Sequence, residues 1–153
     1  MNAPNRPVPA DVDAEEAVLG SILVSWMHPD VNYLALARRL MAPADFYRDR
    51  HGWIFQAMIE VAAKGEHVHE IMVAHQLDLN GKLKAAGGAA YLSHLVANTP
   101  TPIFIEDYAR IVRDCSQARA QIGKAKRLEE DAYQGKQTHL RQPPTRSEDG
   151  IGF

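Results

Sequence analysis

Between the proline-bearing break at 98–102 and Gly135 the chain carries a stretch that reads as one long helix, from about Ile103 to Tyr133. Tyr108, Ile111, Cys115, Ala118, Ile122, Ala125 and Glu129 recur in it at alternating steps of three and four, the spacing of a single helical face. Up to Glu129 this is an a/d seam with small residues in its middle, and small residues let a second helix approach closely. For any single helix, one face packed on its own domain is the commoner arrangement. The length argues otherwise here. At about 1.5 Å per residue, roughly 30 residues make a helix about 45 Å long, more than five short helices comfortably cover. The spacing therefore points to Tyr108, Ile111, Cys115, Ala118 and Ile122 as a seam for a partner helix.

The rest of the chain also reads as helix. Asp11 is placed to cap a first helix, with Asp13, Glu15 and Glu16 in the early turns where the helix dipole favours acids. Ala14, Ala17, Val18, Ser21, Ile22 and Ser25 form its inner face, widened by Leu19, Leu23 and Trp26, and the helix should stop near His28-Pro29. A second helix is expected from about Asp30 to Met41, with Val31, Leu34, Ala35 and Leu40 inward. Pro43 ends it, and 44–47 reads as a turn pinned by Phe46 and Tyr47. A third helix, from about Asp49 to Lys64, carries Trp53, Ile54, Ala57, Met58 and Val61 at helical spacing, with Gly65 as C-cap. A fourth spans about His69 to Leu79, before the Asn80-Gly81 turn. Gly87-Gly88 opens a fifth through Tyr91, Leu92, Leu95 and Val96. No strand pattern and no internal repeat is evident. The expected fold class is all-α. The expected organisation is an arm over 1–10, a helical domain over 11–134, and a polar tail or linker start over 135–153.

Composition limits the function. The chain has 153 residues, 46% hydrophobic and 24% charged, enough for one core and a tail. Its formal net charge is -2, whereas domains built mainly to grip a phosphate backbone are usually basic. Arg110, Arg113, Arg119, Lys124, Lys126 and Arg127 alternate with Asp107, Asp114, Glu129, Glu130 and Asp131, which reads as a solvated or partner-facing surface. A single cysteine, Cys115, permits no intrachain disulfide and points to a reducing, cytoplasmic setting. No run approaches the roughly 20 apolar residues that span a bilayer.

Catalytic motifs are missing. There is no phosphate loop, nucleophile elbow or Cys-x-x-Cys pair. His67, His69 and Glu70, with His75 a turn or two on, are the best metal candidates. The His-Glu-x-x-His spacing is absent, so solvated histidines are preferred. No catalytic residue, cofactor or metal is expected.

Six strings, in order, resemble the N-terminal domain of DnaB-type replicative helicases. Residues 11–20, Asp-Val-Asp-Ala-Glu-Glu-Ala-Val-Leu-Gly, are similar to that family's opening helix, with its Glu-Ala-Glu before Val-Leu-Gly. Pro43-Ala-Asp-Phe-Tyr47 resembles its Pro-Glu-Asp-Phe-Tyr turn. His51-Gly-Trp-Ile-Phe-Gln-Ala-Met58 resembles its third helix, and Lys64-Gly65-Glu66 the turn after it. Gly87-Gly88-Ala-Ala-Tyr91-Leu92 and Asp107-Tyr-Ala-Arg-Ile-Val-Arg113 resemble two further family strings. The resemblance covers about 7–134. It departs where the family usually has Val-Asp at the start of the fourth helix: Val68-His69 stands here, and histidine is a poorer N-cap. The family continues into an ATPase domain, and this chain ends before any phosphate loop.

The resemblance implies a small orthogonal helical bundle. Its C-terminal helical hairpin would comprise the 92–96 helix region, the Pro100–Pro102 break and the long helix. It implies a non-catalytic domain that pairs with itself as a dimer, and in the ring as a trimer of dimers. It further implies recruitment of the primase C-terminal domain, contact with a helicase loader, weak or indirect contact with single-stranded DNA, and no membrane. A free-standing adaptor or inhibitor that pairs with a helicase, a DNA-binding domain and a metal-dependent enzyme are the alternatives.

Overall fold

The structure is a computed structural model that describes residues 5–135. Residues 1–4 of the expected arm and 136–153 of the expected tail lie outside the described residues. Every regular element among the described residues is helical: α1 Val12–Leu23, α2 Tyr33–Arg38, α3 Asp49–Ala63, α4 Glu70–Leu79, α5 Gly88–Ala97 and α6 Ile105–Gln134. Short 3-10 turns occupy Ser25–Met27, Pro43–Asp45 and Pro102–Phe104. The all-α class expected from the sequence is the one found. The chain divides into two compact units after Ala118, so that α6 begins in the first and ends in the second.

In the first unit α1 is the central element, touching α2, α3 and α5, while α4 packs on α3 and α5. Its position follows from its sequence: every residue from Ala17 to Leu23 is buried. Leu19, Ile22, Ile54, Phe55, Met58, Leu77, Leu92, Leu95 and Ile105 fill the core with almost no solvent exposure. Asp11 caps α1 as expected, its Oδ1 accepting from the Ala14 N–H at 2.9 Å. Asp11→Ala should therefore lower stability by about 1 kcal/mol, read as a drop of a few degrees in thermal melting. A melting point that does not move would contradict the cap.

Gly65 ends α3 as expected. Its φ is +76°, its N–H reaches the Ala62 carbonyl at 3.0 Å, and the Glu66 N–H reaches Val61 at 3.2 Å. This paired closure needs the left-handed conformation that glycine adopts without a Cβ penalty. His69 precedes α4 without a side-chain capping bond, in keeping with the weaker cap expected there.

Two expectations fail locally. Trp26 does not extend the inner face of α1 and is 63% exposed. The α-helix stops at Leu23, and the tighter 3-10 turn that follows breaks the 3.6-residue register. Likewise α2 begins at Tyr33, capped by Asn32, and is only six residues long. Its buried residues are Tyr33, Leu34 and Ala37, while Val31 and Ala35 are exposed. A start three residues later than Asp30 leaves Val31 outside the helix.

Candidate protein-interaction surface

The buried polar residues explain how the first unit is held in one arrangement. Glu15, on the inner face of α1, is 1% exposed, and His51 of α3 is fully buried beside it. The Glu15 carboxylate accepts from the Tyr47 N–H at 2.6 Å and the Arg48 N–H at 3.3 Å. It faces His51 Nδ1 at 2.7 Å. An acceptor-only carboxylate requires that Nδ1 carry a proton and donate. On the other side of the ring, Nε2 lies 2.6 Å from the oxygen of the Tyr91 hydroxyl, whose one proton goes to Glu16 Oε2 at 2.8 Å. Burial, the bond to Glu16 and the Glu16 charge push the Tyr91 phenol well above its ordinary value, against the weaker pull of Arg50 and Arg48. It therefore stays a proton donor. The Arg50 guanidinium lies over its ring, 4.0 Å from the centroid.

These contacts tie together strings that sequence presents separately. The first string supplies Glu15 and Glu16, the Pro-Ala-Asp-Phe-Tyr turn supplies the Tyr47 N–H, the third helix supplies His51, and the Gly-Gly string supplies Tyr91. The same turn is fixed twice more. Asp45 accepts from the Ala42 N–H at 2.7 Å and, through its other oxygen, from Ser116 Oγ of α6 at 2.7 Å. Phe46 is buried, with its ring tilted on Phe55 at 5.4 Å.

This packing decides which face of α6 the core uses. In the first unit Ile105, Ala109 and Val112 are buried, and Ser116 continues that stripe. With about 3.6 residues per turn, each residue advances roughly 100° around the helix. Tyr108, Ile111, Cys115 and Ala118 then lie on a stripe roughly 100° away from the core stripe. Ile111 is 41% exposed, and Tyr108, Cys115 and Ala118 are half-buried. The Tyr108 hydroxyl donates to the Thr101 carbonyl at 3.2 Å. In the second unit Ile122 is 43% exposed. The basic residues nearest the seam are engaged locally: Arg110 with Asp107 at 3.3 Å and with Glu106 at 3.7 Å, Arg113 with Asp114 at 3.1 Å.

His67, His69 and Glu70 share one stretch of surface. They line an open groove together with Trp26, Val31, Leu34 and Ile71. Among the described residues no group of three or more His, Cys, Asp or Glu side chains has the geometry of a metal site. No described helix is long and apolar enough to cross a membrane. Sequence reasoning placed Glu15 as a helix-dipole acid and did not identify Glu15, His51 and Tyr91 as one buried cluster. It did not identify the groove either.

The model of the DnaB-like helicase N-terminal domain matches residues 8–114. The replicative DNA helicase DnaB of Geobacillus stearothermophilus is 38% identical over 128 residues, which are 84% of this chain and 27% of that protein. Among solved structures, the N-terminal domain of DnaB helicase from Mycobacterium tuberculosis matches with a TM-score of 0.79 at 32% identity, covering 84% of this chain and 89% of that one. A DnaB-like replicative helicase, solved with its interactions with primase, shares the fold at a TM-score of 0.63 and 23% identity. That match covers 92% of this chain and 34% of the other. This chain thus spans about a quarter of the length of its curated relative. The family model covers more than half of the chain, and the chain belongs to the DnaB-like helicase N-terminal domain family.

Proposed function

We propose that this chain is a non-catalytic assembly and docking domain of a replicative DNA helicase, acting in DNA replication in the cytoplasm. It pairs with a second copy through Tyr108, Ile111, Cys115, Ala118 and Ile122, and three such pairs build a collar. The collar presents sites to the primase C-terminal domain and to a helicase loader, with single-stranded DNA touched weakly or indirectly. Several copies on one ring raise the local concentration of a weakly held partner. In this reading 11–134 is the working domain, 1–10 an N-terminal arm, and 135–153 a tail or the start of a linker.

The observation that carries the reading is the offset of the two stripes on α6. Ile105, Ala109 and Val112 are consumed by the core, while Ile111, in the same unit, remains an exposed apolar residue on the other stripe. Apolar side chains of that size on a regular helical seam favour a partner helix. The replicative helicases among its relatives, and the primase named with one structural neighbour, support the setting.

Light scattering across a concentration series tests it. A dimer or larger even assembly is expected, and Ile111→Asp or Ala118→Glu should shift it to monomer by placing a charge in an apolar seam. Neither residue is in the core, so helix content should be kept. A wild-type monomer at every accessible concentration would reject self-pairing as this chain's activity.

A further inference from the structure

A second surface stands apart from the α6 seam. Trp26, Val31, Leu34, Val68 and Ile71 line an open groove of about 970 Å³, between the segment after α1 and the start of α4. Trp26 is 63% and Ile71 74% exposed, and Met27 beside Trp26 is exposed as well. Single exposed apolar residues are ordinary, but a contiguous set within a concavity marks an interaction site. Trp is also the residue type most enriched where binding energy concentrates.

The polar lining is one-signed. Glu66 and Glu70 face the groove with His67 and His69, and no lysine or arginine lines it. Ser93 Oγ donates to Glu70 at 3.0 Å, and no ion pair engages either glutamate among the described residues. Lys64, the nearest cation in sequence, is committed to Gln76.

We propose that this groove docks a short segment of another protein that carries a lysine or arginine beside a bulky apolar side chain. The apolar side chain packs against Trp26, Val31 and Ile71, and the cation sits between the Trp26 ring and the two glutamates. Tryptophan is the best cation–π acceptor, and opposed charge sets register and rejects wrong partners. Nucleic acid is the wrong charge for this lining. Small-molecule sites bury most of their ligand, which an open groove does not. The inference stands independently of self-pairing, because none of the groove residues lies on α6.

NMR titration of the whole chain tests it with three probes: a short amphipathic Lys/Leu peptide, the same peptide with every lysine replaced by glutamate, and single-stranded oligo-dT. The expected result is saturable shifts from the Lys/Leu peptide at the Trp26 indole N–H and the amides of 65–71. Trp26→Ala and the double charge reversal Glu66→Lys/Glu70→Lys should each weaken binding at least about tenfold. Trp26 and Glu66 are exposed, so the spectrum of Trp26→Ala should otherwise overlay, while the double variant, which also gives up the Ser93–Glu70 bond, should differ further only around Ser93 and the start of α4. Shifts of equal strength from the Glu/Leu peptide, tighter binding of oligo-dT at the same residues, or shifts centred elsewhere would overturn the proposal. So would movement of the same resonances with protein concentration alone, which would assign the groove to a second copy.

Discussion

Replacing Glu15 with alanine is expected to cost about 3 kcal/mol or more of folding stability, since three hydrogen bonds to one buried acceptor are lost together at about 1 kcal/mol or more each. The cost comes from what is left behind. The Tyr47 and Arg48 N–H groups and His51 Nδ1 all lose their acceptor, and His51 loses it where the side chain is fully buried. A small domain has only about 5–15 kcal/mol in total, so the variant should be largely destabilised at ambient temperature. Glu15→Gln keeps the shape but one oxygen only, and should fall between wild type and alanine, at about 1–3 kcal/mol.

Chemical denaturation of Glu15→Ala, His51→Ala and the double variant measures the pair directly. The double variant should lose less than the sum of the singles, by about 1 kcal/mol or more, because each single leaves the other partner unpaired. A loss under about 1 kcal/mol for Glu15→Ala, or strict additivity, would show that the cluster is incidental to the fold.

How much of this was legible in the sequence depends on the range of the interaction. Caps and turns are set by neighbours, so Asp11, Gly65 and the Gly87-Gly88 opening were read correctly from a few residues each. The long periodic segments, α3 and α6, were read to within about two residues. The six-residue α2 was not, because a helix that short carries less than two turns of pattern. Trp26 was misplaced because nothing in the local pattern marks the switch from α to 3-10 at Leu23.

The buried cluster was missed for a different reason. Its partners stand 32 to 75 residues apart in sequence, from Tyr47 and Glu15 to Tyr91 and Glu16. A signal was nevertheless present. Glu15 is i, i+4, i+7 with Leu19 and Ile22, and His51 stands likewise to Ile54, Phe55 and Met58. An ionisable residue on an otherwise apolar helical face is rarely buried without a partner, and two such residues in one small domain are candidates for each other. His67, His69 and Glu70 show the converse. They were weighed as metal ligands on spacing, while their place on one groove with Trp26 and Val31 emerges only from the fold, since more than 35 residues separate the two segments.

Gly20 gives the sharpest test of the packing, because local propensity and tertiary structure predict opposite signs. Glycine within a helix costs about 1 kcal/mol relative to alanine, so Gly20→Ala in the last turn of α1 would favour an isolated helix. In the folded chain a Cβ at this position would meet the Thr99 side chain and lie 2.7 Å from the Leu95 carbonyl oxygen. Thr99 has little freedom to withdraw, since its hydroxyl already donates to that same carbonyl at 2.6 Å. The α1–α5 contact exists at this separation only because residue 20 has no side chain. Gly20→Ala is therefore expected to destabilise, and Gly20→Val to do so by about 3 kcal/mol or more, as α5 must shift against a close-packed core. Thr99→Ala should recover part of the Gly20→Ala loss and not all of it, because the Leu95 carbonyl is backbone and stays in place. Denaturation midpoints of the three variants decide the matter. If Gly20→Ala raises the midpoint, α1 and α5 are not in the close contact described, and the central position of α1 in the bundle falls with it.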